Sequence, residues 1–153
     1  MSNVISVVHQ IGGQPVATFK KPLEVKAGTA ASIKPGYLVI ADGSNPGYVK
    51  AAPDATDTDS AVVGIASSES TETASLDGTV LVEAAPVLLV RLKAKTPGSL
   101  LATMKYTNKY ILDVINGNYT LDQATTTKGL FRLLDFDNTT DGNCLASVAC
   151  TLW

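Results

Sequence analysis

The sequence predicts an all-β protein: a small antiparallel barrel or sandwich preceded by an extended N-terminal arm. Three observations carry that prediction. The apolar runs are four to seven residues long, rich in β-branched side chains, and bounded by Gly, Pro or Asp. No longer stretch carries the apolar stripe of an amphipathic helix. Charged residues make up only 17% of the chain, well under the roughly one quarter usual in soluble domains, and Ala, Val, Thr and Gly take their place.

Residues 1–33 read as an N-terminal arm or a set of edge strands. Two short apolar stretches, Val4 to Val8 and Val16 to Phe19, are separated by Gly12-Gly13-Gln14-Pro15, and Lys20, Lys21 and Pro22 follow. Pro within such a run fits an edge strand, because it cannot donate to a ladder. An ordinary first strand pair of the domain is the alternative reading.

From residue 34 the rhythm of strand and turn is regular. Pro35-Gly36 opens the run Tyr37, Leu38, Val39, Ile40, and the Asp, Gly, Ser, Asn and Pro of residues 42–47 make a turn. Tyr48 and Val49 return. A polar loop at 53–60 leads to Val62, Val63, Gly64, Ile65, Ala66. Asp77-Gly78 starts a further strand through Val82, and Pro86 precedes the run 87–93. Short helical turns fit residues 69–76 or 96–105.

The second half answers the first. Tyr110 to Ile115, Asn116-Gly117 and Tyr119 to Leu121 repeat the pattern of Tyr37 to Val49. Leu130 to Leu134 follows as Val62 to Ala66 does, and Asp141-Gly142 with Leu145 to Val148 as Asp77-Gly78 with Val80 to Val82. Asn-Gly between strand-like runs is a strong hairpin signal. The expected organisation is a barrel domain over 34–153 made of two similar meanders, 34–93 and 106–153, each burying what the other exposes.

The chemistry-bearing residues are few, and the chain is read as a non-enzyme. His9 is the one histidine, without a Cys or Asp at a telling spacing, and there is no Gly-x-Ser-x-Gly elbow or phosphate loop. No catalytic residue, metal ligand or cofactor is assigned. Asp54, Asp57 and Asp59 lack the spacing and bidentate Glu of a calcium loop and read as solvated, as do Asp135, Asp137 and Asp141. Cys144 and Cys150 read as buried, reduced side chains. A formal net charge of -2 argues against a nucleic-acid track. No apolar run approaches the ~20 residues of a membrane span. Arg91, Lys93 and Lys95 alternate with Leu88, Val90 and Leu92, so they line the solvent face of a strand. Tyr37, Tyr48, Tyr106, Tyr110, Tyr119 and Trp153 are the aromatic side chains that would serve as sugar-stacking platforms, but half-buried packing is the commoner role.

Taken in order, Gly36 to Ala41, Val62 to Ala66 and Gly78 to Val82 resemble the small β-tulip or β-barrel decoration and cement proteins of tailed-bacteriophage capsids. The resemblance covers roughly residues 34–153 and rests on hydrophobic patterns. It implies a structural virion protein, made in the host cytoplasm, that binds the outer capsid surface and cements or decorates the major capsid protein lattice. It further implies a homo-oligomer, trimers being common in that group, and an arm that reaches neighbours. Val4, Ile5, Val7 and Val8 are the candidate arm anchors, since an added strand seats alternate side chains in pockets. The alternative is a carbohydrate- or receptor-binding β module of a phage fibre or surface adhesin.

Overall fold

The computed structural model describes residues 5–28, 32–53, 62–107, 109–115, 118–126, 129–139 and 142–150. Val4, the loop carboxylates Asp54, Asp57 and Asp59, the dipeptide Asn116-Gly117, Asp141 and Trp153 lie outside them. The strands are β1 (Ser6–Val7), β2 (Gln10–Ile11), β3 (Gln14–Pro15), β4 (Phe19–Val25), β5 (Leu38–Ala41), β6 (Val49–Ala51), β7 (Val62–Ala66), β8 (Gly78–Ala84), β9 (Val87–Ala94), β10 (Lys109–Ile115), β11 (Asn118–Asp122), β12 (Phe131–Phe136) and β13 (Asn143–Ala149). Among the described residues the sole helix is a 3-10 turn at Ala102–Met104, within the second of the two expected helical turns.

The strands close into two five-stranded barrels. The first has the order β4-β6-β5-β7-β8, with β8 returning to β4, and the second the order β9-β11-β10-β12-β13, with β13 returning to β9. Position by position these are the same path. In each barrel the first strand runs parallel to the third, and every other pairing is antiparallel. Closure pairs the strands of each barrel all the way round, and the stretch of β9 that β11 does not reach is covered by β1.

The boundaries differ from those the sequence suggests. The first barrel opens at Phe19 rather than near residue 34, and β9, expected in the first meander, opens the second barrel. In β4 only Leu23 and Val25 turn away from solvent, so its pattern resembles an exposed arm, yet it pairs with β8 from Phe19↔Ala84 to Val25↔Gly78. For β9 the deciding partner is β13, paired from Asn143↔Lys93 to Ala149↔Val87. Both partners are distant in sequence.

Strands β5 and β7 explain how the barrels hold together. Val39, Val63 and Ala66 pack inside the first barrel with Val25, Val49, Val80 and Val82. Their neighbours Leu38, Ile40, Val62 and Ile65 turn the other way, into a core shared with Leu88, Val90, Leu112, Leu121, Phe131 and Leu133 of the second barrel. Successive side chains on a strand face opposite sides, so a strand buried on both reads as an unbroken apolar run. That is why Leu38-Val39-Ile40 does not alternate. The Tyr119 hydroxyl adds a polar tie across the junction, donating to the Ala52 carbonyl at 3.0 Å, and its ring lies 4.9 Å from that of Tyr37.

Candidate interaction surface

The N-terminal segment is built into the molecule. Strand β1 adds antiparallel to the β9 edge with Ser6↔Arg91 and Val7↔Val90. The Ile5 N–H donates to Gly36 O at 3.0 Å and the Val8 N–H to Leu89 O at 2.8 Å. Ile5 and Val8 are buried, and Val7 packs against the shared core. Three of the four candidate arm anchors therefore fill pockets of their own chain, and Val4 falls outside the described residues. Beyond them, Gly12 and Gly13, both at positive φ, turn the exposed hairpin of β2 and β3. Positive φ at both central residues is what a two-residue hairpin of type I′ demands.

This segment is fastened at the barrel junction by Glu83. The Glu83 carboxylate accepts from His9 Nε2 and from Thr18 Oγ1, each at 2.5 Å, and the residue is 4% exposed. Burial pushes its carboxyl up, but the Thr18 and His9 hydrogen bonds, aided by the Lys20 charge, bring it below the ordinary value. His9, which the sequence left without a role, thus holds the segment in place.

The tyrosines divide sharply. Tyr110 and Tyr119 are buried, and Tyr37 packs against both cores. Tyr48 donates to Asp77 at 2.7 Å, and Lys26 Nζ sits 5.1 Å from its ring centre. With the Ala27 N–H first among its donors, Asp77 is held down at about 2. Tyr106 alone among these stands open, 64% exposed, in a loop that also exposes Leu101.

That loop is fixed by polar ties. Asn138 brackets Leu100, accepting from its N–H at 3.2 Å and donating to its carbonyl at 2.7 Å, and Gln123 donates to Thr96 O at 2.7 Å and to Ser99 Oγ. Lys105 pairs with Asp135 at 2.5 Å. The Tyr106 N–H donates to Leu133 O at 2.9 Å while its carbonyl accepts from Arg132 at 3.2 Å. Tyr106 has φ 63, a left-handed backbone that a bulky side chain adopts only when its surroundings impose it.

Beside Asp135 lies an open cleft of about 520 Å³ on the outer face of the second barrel. Arg91, Asp135, Asp137, Asn143 and Leu145 line it. The strand register explains the grouping: Arg91 stands opposite Leu145, and Leu145 opposite Asp135, across three adjacent strands. The Lys105 hydrogen bond holds the Asp135 carboxyl below its usual range. Arg91 was legible as a solvent-facing position, and Leu88, Val90 and Leu92 are buried beneath it as expected. That it shares a cleft with Asp135 was not legible, because the two belong to strands far apart in sequence.

Cys144 and Cys150 are both free and buried. Burial pushes the Cys144 thiol up to about 12, and Cys150 is raised for the same reason. No group of three or more metal-ligating side chains occurs among the described residues. No family model, curated protein or solved structure matches this chain.

Proposed function

We propose that this chain is a structural protein of a tailed-phage head that binds the outer surface of the capsid and cements or decorates the major capsid protein lattice. The observation that carries the reading is the motif series beginning at Gly36, Val62 and Gly78, whose segments are β5, β7 and β8 of one closed barrel. Two closed barrels sharing an apolar core make a stiff body with a large outer surface, suited to many small contacts on a rigid lattice. Repeated copies then multiply modest individual affinities. The working form is a homo-oligomer, a trimer by the resemblance, located on the virion surface. Exchange of the strand at residues 5–8 between neighbouring copies would use the same β9 edge that receives it here.

The test adds purified protein to undecorated heads of the cognate phage. Co-sedimentation with the heads and greater resistance to heat or chelator are expected. Neither binding nor added resistance sinks the reading.

A further inference from the structure

We infer that the cleft on the second barrel is a binding site for a neutral saccharide, recognised through adjacent hydroxyl groups. The inference stands apart from the cementing role and does not depend on it.

The chemistry of the lining selects the ligand class. Asp137 Oδ1 accepts the Thr139 N–H at 3.0 Å, leaving Oδ2 for an incoming donor. Asp135 accepts from Lys105 Nζ and from the Phe136 N–H, and its exposed carboxylate keeps lone pairs for a further donor. Arg91 has no ion-pair partner among the described residues and presents a fork of N–H donors, while Asn143 offers both donor and acceptor. A sugar hydroxyl donates once and accepts at the same time, so it meets a carboxylate and a guanidinium or amide together. Two carboxylates oppose an anionic ligand, and Arg91 with Lys105 opposes a bare cation. Leu145 and Phe136 supply apolar surface for the C–H face of a ring.

Size and rigidity agree. The cleft volume lies within the ~300–1,000 Å³ usual for small-molecule sites. Its two carboxylates are held before any ligand arrives. Lys105 fixes Asp135, and its Nζ lies 5.1 Å from the centre of the Phe136 ring. The Asp137 N–H donates to Asn143 O at 2.8 Å and ties the two carriers to one another. Groups held in place beforehand lose less freedom on binding.

The experiment titrates ¹⁵N-labelled full-length protein with lactose, maltotriose and N,N′-diacetylchitobiose, followed by amide chemical shifts. Saturable shifts confined to residues around Arg91, Asp135, Asp137 and Asn143 are expected with at least one sugar. Arg91→Ala and Asp137→Asn should each weaken binding by about tenfold or more, as loss of a hydrogen bond to a charged group implies. Both positions are exposed, and an otherwise unchanged spectrum verifies that each variant folds. Three results overturn the inference: no saturable shift with any of the three sugars, shifts that map elsewhere, or binding that survives both substitutions. Calcium chloride and sodium phosphate run as parallel titrants, and a response at the cleft to either of these alone, with none to the sugars, overturns it as well.

Discussion

His9 Nε2 donates to the Glu83 carboxylate across 2.5 Å, joining the N-terminal segment to the last residues of the first barrel. Glu83 is buried, and Thr18 is its second donor. The hydrogen bonds outweigh burial and depress its carboxyl below the ordinary value of 4.5. A depressed carboxylate stabilises the fold fully above that unfolded value, and the contribution is lost as pH falls through the folded one. Urea denaturation of wild type and Glu83→Gln from neutral pH down to pH ~3 should therefore converge, the gap at neutral pH being about 1–3 kcal/mol, as for hydrogen bonds to a charged group. Parallel stability curves over the whole range would mean that the carboxylate contributes nothing.

Gly64 of β7 has its own test. A Cβ there would lie 2.3 Å from Glu83 O and 2.7 Å from Val82 Cγ1, whereas at Gly43 nothing lies within 4 Å. Overpacking against a backbone carbonyl cannot relax by rotating a side chain. Gly64→Ala should cost about 3 kcal/mol or abolish folding, while Gly43→Ala should stay within about 0.5 kcal/mol of wild type. Thermal melts of the two variants side by side provide the check, and equal melting temperatures would contradict the close approach.

The left-handed backbone at Tyr106 predicts an inverted order of substitutions. Alanine keeps the Cβ that makes φ 63 costly, whereas glycine removes it. Tyr106→Gly should be more stable than Tyr106→Ala by about 1 kcal/mol, the reverse of the order expected in a helix or strand. Chemical denaturation of both settles it, and a more stable alanine variant would show that the strain is absent.

Buried thiols should be chemically silent. Cys144 is 2% exposed and its thiol is pushed up to about 12, so at pH ~8 almost none is thiolate. Ellman's reagent should label neither Cys144 nor Cys150 at an appreciable rate in the folded protein and both on unfolding. Fast labelling of the native state would contradict the packing of β13.

The strand segments were readable because their cause is local. Short β-branched runs closed by Gly, Pro or Asp become strands whatever their partners, and the correspondence of Tyr37 to Val49 with Tyr110 to Leu121 lies in the order of residues alone. Tyr106 was readable as an aromatic but not as the exposed one among the described tyrosines. Exposure depends on what packs against a ring: Tyr119 meets the Tyr37 ring and, 67 positions away in the chain, the Ala52 carbonyl.

The sequence by itself determined an all-β protein with sparse charge, an internal echo between its halves and buried, reduced cysteines. Tertiary structure alone decided where each barrel begins, that Ile5 and Val8 fill pockets of their own chain, that Glu83 fastens His9, and that Arg91 and Asp135 flank one cleft. The physical reason is the range of the interactions. Strand propensity and turn chemistry act between neighbours along the chain, while barrel closure, burial and carboxylate partners are set by contacts between residues that only folding brings together.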